Sequence, residues 1–516
     1  MEKIKRLVFL SAIVVALVMS SCSSEKHKKY IPADSKILGK IDVKAFFEQT
    51  DADKDKLMED IEEYLGDDVA SIKDMGIDMK VPIYMFGRGK GEDFTFGIVA
   101  KVDDKDQVKD WLKEKPRKVK MKEDDDFDYF AEGEVAIGLN KDAFVFIACT
   151  SSEAKKEIKK IMNKGYDGDL DDNEIFKKVS DSKSFACLYA DLSIIDDDLM
   201  KEVERKLPQQ ADQIKDLRTM TLGIEGTFTE GICDFELLAE SSDSKVQKKI
   251  DKSREMFRSP GKKGIESVPD DALGGLVANI DGKKASDYIL KALKEANLMD
   301  QISADEKEMF TSILDIAEDL DGDLVAYFAA PQNFMFAVES KDNTASRLAD
   351  IIRQNESRSN PYRNDDYYGY QDELESYSFA PTQYEDYPAE EVEEVQIDDD
   401  YDYGSEYDSD YGYGRSSSTL REVDGGYNID DFWFGNNNGA LFFTNSESMM
   451  SSAFEKASKN VSSGLMSLVG ERNFVLFLNF SGIVDYAGGF TGQGKKAAKA
   501  FDEILNKIDY ITFSMK

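Results

Sequence analysis

Histidine is all but absent from this chain: His27 is the only one among 516 residues. Ser–His–Asp and Cys–His nucleophiles, histidine-ligated zinc and imidazole acid–base catalysis all need that ring, so composition excludes them from the folded body. Carboxylate, lysine, tyrosine or Ser–Lys chemistry survives. Cysteine is nearly as scarce, with four, and the only tryptophans are Trp111 and Trp433, thin provision for stacking on sugars. Cations are in deficit: 66 Lys and Arg face 103 Asp and Glu, a net charge of −37. A field of that sign repels nucleic acid and leaves no broad basic surface for counterion release. Long apolar runs are missing too. The one candidate, Leu7 to Met19, has 13 residues, against roughly 20 for a membrane-spanning helix.

What flanks that run is informative. Lys3, Lys5 and Arg6 precede it, and Ser20-Ser21-Cys22 follows. A basic start, a short apolar core and small residues ahead of a cysteine form a secretory signal of the lipoprotein type. Residues 1–21 would be the signal peptide, and Cys22 the acylated first residue of the mature chain. Residues 22–30 read as a lipidated leash, with Lys26, Lys28 and Lys29 against anionic headgroups. The other cysteines, Cys149, Cys187 and Cys233, sit in apolar strand-like runs and read as small buried hydrophobes. Export permits one disulfide among them.

The body says something twice. Ile31-Pro-Ala-Asp-Ser35, then Leu38-Gly-Lys-Ile-Asp42, recurs as Val268-Pro-Asp-Asp-Ala272, then Leu276 to Asp281. Three further anchors keep their order: Phe144-Val-Phe-Ile-Ala with Leu441-Phe-Phe-Thr, Phe185-Ala-Cys-Leu-Tyr with Phe474-Val-Leu-Phe-Leu, and Met220-Thr-Leu with Tyr510-Ile-Thr. Two occurrences make a tandem pair rather than a solenoid. The expected fold class is α+β, in two homologous domains, each a mainly antiparallel sheet packed with amphipathic helices. The first spans residues 31–258 and the second 267–516.

Strands are expected at Ile37–Asp42, Pro82–Phe86, Phe94–Lys101, Glu134–Gly138, Ala143–Ala148, Phe185–Asp191, Met220–Phe228 and Ile232–Ala239, from β-branched or aromatic runs bounded by turn residues. Val108, Trp111 and Leu112 share a helix face, as do Ala345, Leu348 and Ile352. The second copy stops at Met515-Lys516, one strand short of the first. That predicts either an open sheet edge or a chain that continues. Within the second copy, residues 361–415 hold 18 acids, two arginines and 12 of the 23 tyrosines. Such a stretch cannot bury enough surface to offset its ordering entropy, and reads as a disordered acidic insert.

Each candidate site has a plain reading beside it. Asp51-x-Asp53-x-Asp55, with Glu62 twelfth, carries Lys56 where a calcium loop needs glycine, and Asp167-x-Asp169-x-Asp171 carries Asp172 there. The bend Asp319-Leu-Asp-Gly-Asp323 needs no ion. Gly87-Arg-Gly-Lys-Gly91 reads as a hairpin loop, lacking the strand-to-helix setting of a dinucleotide site. Ser180-x-x-Lys183 and Ser259-x-x-Lys262 have no second motif behind them. Pro32 and Pro269 are expected to start strands, while Asp42 and Asp281 cap the helices that follow. No catalytic, cofactor or metal residue is assigned.

The Ser-Ser-Cys22-Ser-Ser lipobox, Tyr30-Ile-Pro-Ala-Asp-Ser35 and Gly39-Lys-Ile-Asp-Val-Lys44 together resemble a family of uncharacterised Bacteroidetes lipoproteins, with Ser35 where alanine is usual. The resemblance implies an outer-membrane lipoprotein and carries over no activity, while the basic leash favours the periplasmic face. The leading expectation is a lipid-anchored, non-enzymatic binding module of the cell envelope, with a basic envelope protein as partner of the acidic insert and no nucleic acid. The alternatives are a carboxylate- or Ser–Lys-dependent hydrolase with a cleft between the copies, and low-affinity calcium binding by the insert.

Overall fold

A computed structural model describes residues 25–52, 75–114, 119–151, 153–164, 168–206, 215–269, 271–295, 298–299, 302–330, 333–359, 420–452, 463–480, 482–483 and 507–515. Cys22 and the leader, the first calcium-like segment from Asp53 through Glu62, Asp167 and the acidic insert lie outside these residues.

In the first half the strands are β1 Ile37–Ile41, β2 Ile83–Arg88, β3 Thr95–Lys101, β4 Lys122–Glu123, β5 Asp128–Glu132, β6 Val135–Leu139, β7 Ala143–Cys149, β8 Ala186–Asp191, β9 Met220–Thr229 and β10 Ile232–Ser241. Helices α1 Val43–Thr50, α2 Lys105–Glu114, α3 Ala154–Met162, α4 Glu174–Asp181, α5 Asp197–Lys206 and α6 Ser244–Arg254 connect them. All eight expected strands are present within one or two residues of their expected bounds. The second half adds β11 Phe257–Arg258, β12 Gly274–Asp281, β13 Leu320–Ala330, β14 Asn333–Ser340, β15 Arg421–Val423, β16 Gly426–Ile429, β17 Phe432–Asn437, β18 Ala440–Thr444, β19 Phe474–Asn479 and β20 Tyr510–Met515. Its helices are α7 Lys262–Glu266, α8 Gly282–Glu295, α9 Ala304–Ala317, α10 Thr344–Ser359 and α11 Ser463–Glu471. The fold mixes helix and strand on one large, mostly antiparallel sheet.

Pairing in the first half runs β6-β7-β3-β2-β1-β8-β9. In the second half it runs β17-β18-β14-β13-β12-β19-β20. The same local devices recur. Asp42 accepts the Ala45 amide at 3.0 Å to open α1, and Asp281 accepts the Lys284 amide at 3.0 Å in the first turn of α8. The prolines do not start the strands. Each lies five residues ahead, its carbonyl closing a turn with Ser35 or Ala272. Buried Asp78 pairs with Lys101 across the start of the β2–β3 region, as buried Asp319 pairs with Lys341 beside β13 and β14.

The edge expected to stand open is covered. Strand β10 pairs antiparallel with β9 and parallel with β20, Ile232 opposite Tyr510 through Leu237 opposite Met515. It therefore fuses the two half-sheets into one. The Glu230-Gly231 turn ahead of β10 has both residues at positive φ, 48° and 85°, the geometry of a tight hairpin. A Cβ on Gly231 would lie 2.4 Å from an Asp509 carboxylate oxygen, just ahead of β20.

Part of the segment expected to be a leash is folded. Lys26–Tyr30 is a 3-10 helix packed on the fold. His27 is fully buried, Lys28 pairs with Glu25 and lies over the Tyr84 ring, and Lys29 pairs with Asp142. These lysines meet protein groups instead of standing free for headgroups, because Tyr84 and Asp142 give them partners the sequence pattern does not show. Among the described residues, no helix is long and apolar enough to cross a membrane.

Candidate functional site

Side chains alternate across the sheet, and the two faces differ sharply at the joint. One face continues the helix-packed cores. In the first half that core includes Leu38, Phe86, Val145 and Ile147 with Ile158 of α3 and Phe176 of α4; in the second it includes Val277, Val325, Phe442 and Phe477 with Leu465 of α11. At the joint this same face turns polar. Asp234 of β10, 3% exposed, accepts from Thr512 Oγ1 at 2.7 Å and Ser514 Oγ at 2.9 Å. Arg472 reaches Asp234 at 3.3 Å and Glu236 at 2.8 Å. On β9, Glu225 accepts from Ser184 at 2.9 Å and from the Tyr189 hydroxyl at 2.5 Å. Burial, and after it that contact, raises the Tyr189 pKa.

The opposite face is apolar along nearly its whole length. One row of facing residues runs Phe130, Ile137, Phe146, Ile98, Met85, Gly39, Leu188, Ile224, Leu237, Met515, Phe474, Ala278, Leu324, Val338 and Leu441, with no polar side chain. The adjacent row crosses the joint as Gly226, Phe235, Phe513, Leu476, Leu276 and Ala326. Helices cover its two wings. Val108 and Leu112 of α2 pack on Ile137 and Phe146, while Ala345, Ala349 and Leu348 of α10 pack on Val338, Leu441 and Phe336. Between the wings, Leu188, Leu222, Leu237, Met515, Leu476 and Phe328 are 37–57% exposed. From β8 to β13 there are six strand spacings, an apolar strip about 29 Å long.

Strands β10 and β20 thus invert the ordinary rule. A sheet with one solvated face places its polar residues outward. Here Thr512 and Ser514 are fully buried while Met515 and Leu237 are exposed. Contiguous apolar surface of this kind is uncommon on a folded monomer.

The residues singled out from sequence do not assemble into a reaction centre. Ser180 and Lys183 are exposed at the end of α4, and Ser259 ahead of α7 and Lys262 at its first position are exposed too. The halves meet strand to strand at β10 and β20. A shallow solvent-open groove between α9 and α10 is lined by Glu308, Met309, Ser312, Ile351, Gln354 and Asn355. It brings one carboxylate and no lysine, so neither a carboxylate pair nor a Ser–Lys dyad forms there.

The acids of the Asp319–Asp323 bend each meet protein donors: Asp319 meets Lys341 and Arg347, and Asp321 meets Arg258. Asp323 accepts from the Gly261 and Gly264 amides and Asn279. No cluster of three or more His, Cys, Asp or Glu suited to a metal occurs among the described residues. Gly87 and Arg88 end β2 and Gly89–Gly91 opens its connection to β3, in keeping with the expected hairpin loop. Cys149, Cys187 and Cys233 are buried free thiols, their pKa values raised by burial, that of Cys233 to about 12.

Fold and face together define a mixed helix-and-strand protein whose most distinctive surface, among the described residues, is an apolar sheet face. Residues 31–369 match the family described as Domain of unknown function (DUF4836), and the chain belongs to that family. No curated protein matches. Among solved structures, "Structure of crystal form I of TP0453" is similar over 42% of this chain and 77% of that one, with 11% identity and a TM-score of 0.25.

Proposed function

We propose that this chain is a lipid-anchored, non-enzymatic binding module of the cell envelope, built from two copies of one unit and using the exposed apolar face at their joint. The observation that carries the binding role is the inversion at β10 and β20, where polar side chains are buried and apolar ones face outward. Folding does not demand that arrangement. The duplication is supported by the recurring strand order and by the paired helix caps. Anchoring through Cys22 rests on the leader sequence, placement at the outer membrane on the family resemblance, and the choice of its periplasmic face on the basic residues after Cys22. Only Ser23, Ser24 and Glu25 separate Cys22 from the first folded turn, a reach of about 14 Å when extended.

The occupant is a protein that presents an apolar patch framed by basic residues. Two features support it: the strip offers no hydrogen-bonding side chains along its central row, and a chain of net charge −37 steers cationic partners over long range. In-cell crosslinking and pull-down through the mature chain test this against a Leu237→Glu, Leu476→Glu variant. The expected result is a basic envelope protein recovered with the native chain and lost with the variant, while far-UV circular dichroism is unchanged. Equal recovery from both overturns the assignment of the face.

A further inference from the structure

The chain's one histidine is buried in the first folded turn, next to the segment that leads to Cys22. His27 Nε2 donates to the Pro82 carbonyl at 3.0 Å, which places the proton on Nε2. Nδ1 is then an unprotonated nitrogen, buried and without a hydrogen-bond partner among the described residues. The ring lies 5.6 Å from that of Tyr84, whose own ionisation is pushed far upward by burial. Protonation would add an N–H with no acceptor and a charge with little water around it. The charged groups facing it are mixed: Lys28 on its own turn and Lys101 at the end of β3 oppose a cation, and Glu25 favours one. Asp142, in the β6–β7 turn, is taken up by Lys29. Burial dominates, so the imidazole pKa is lowered from 6.5.

We propose that the Glu25–Ile31 segment is a pH-released clasp, docked on Pro82 and Tyr84 while His27 is neutral and freed when it is protonated. A base whose pKa is depressed in the docked state contributes docking stability above its free value of 6.5. Below that value the docked-to-released ratio falls tenfold per pH unit, until the docked ring is itself protonated. Release frees Lys28 from the Tyr84 ring and Lys29 from Asp142, and lengthens the tether after Cys22 from about 14 Å to about 35 Å. The change in reach rests on the lipid-anchor reading; the release itself does not.

The second half supplies an internal control. Its corresponding turn, α7, is held by Gly264 N–H to Asp323 at 3.0 Å and has no titrating ring.

The test uses the full chain in detergent micelles, with and without Cys22→Ser. With only one histidine, the ¹³C resonance of a labelled ring titrates without ambiguity. We expect a midpoint below 6.5 in both proteins. Hydrogen-exchange protection of the Glu25–Ile31 peptide, corrected for intrinsic rates, should fall by tenfold per pH unit over the same interval, while α7 stays protected. His27→Gln keeps a donor toward Pro82 but cannot titrate, and should make the protection flat with pH. A midpoint at or above 6.5, or protection of residues 25–31 that does not follow the ring, overturns the clasp. Loss of membrane association in Cys22→Ser tests the anchor separately. An intact clasp in a chain that Cys22 does not anchor would sink the anchor alone.

Discussion

Truncating Asp234 to alanine removes the acceptor at the centre of the joint. Thr512 and Ser514 each lose a hydrogen bond of 2.7–2.9 Å, and Arg472 loses one of its two carboxylates. Removing one partner of a buried pair typically costs 3–5 kcal/mol, because the other charge is left buried and uncompensated. Glu236 remains 2.8 Å from Arg472, so the low end applies, about 3 kcal/mol, or roughly a hundredfold in a local opening equilibrium. A chain of this size need not unfold in one step. The assay is therefore hydrogen exchange resolved by strand. Protection in β10, β20 and β19 should drop about a hundredfold, while β3 and β7 are unchanged. Substituting all three charges, Asp234→Leu with Arg472→Met and Glu236→Gln, should recover part of the loss, since no member of the network is then left as an unpaired charge. Protection of β20 within about threefold of native in Asp234→Ala would refute the view that this network holds the halves together.

Other consequences follow from the same contacts. Asp42→Ala and Asp281→Ala each remove a first-turn acceptor and should each cost about 1 kcal/mol by chemical denaturation. Gly97→Ala would place a Cβ 2.2 Å from the Phe86 ring and should destabilise by about 1–3 kcal/mol. Burial pushes the Asp128 carboxyl upward, but Lys105 and Lys109 at 2.8 and 2.7 Å outweigh it and hold its pKa below 3.8. Its contribution is therefore full above that value and lost as pH falls through the depressed folded one; acid unfolding of Lys109→Met should lose part of that slope. Alkylation of the native chain should leave Cys149, Cys187 and Cys233 unmodified, and all three should react in denaturant.

Much of the fold was legible because β-branched and aromatic runs bounded by turn residues announce strands one at a time. The cap residues Asp42 and Asp281 were equally plain. Three things were not. The polar run Lys26–Tyr30 looks solvated, and only tertiary partners, Pro82 and Asp142, turn it into folded structure. The strand missing from the second half was already present at the end of the first, but a parallel pairing between Ile232 and Tyr510 has no local signature. Sidedness was the third. The period-two alternation in Asp234-Phe-Glu-Leu237 and Ile511-Thr-Phe-Ser-Met515 is clear in the sequence, and the usual reading puts its polar positions in water. Buried Asp234, Thr512 and Ser514 satisfy one another instead, which leaves Leu237 and Met515 outside. Burial of one polar network, not the pattern itself, decides which face is the surface.

Neighbouring residues Glu236 and Leu237 lie on opposite faces of β10, and that gives the most direct measurement. A photo-crosslinking amino acid placed at 237 in the full chain in living cells should yield one discrete adduct with a basic envelope protein, and the same group at 236 should not. Adducts of equal yield from both positions, or none from 237 with the chain folded, would contradict the apolar face as the binding surface. An adduct with a second copy of this chain would contradict the choice of partner.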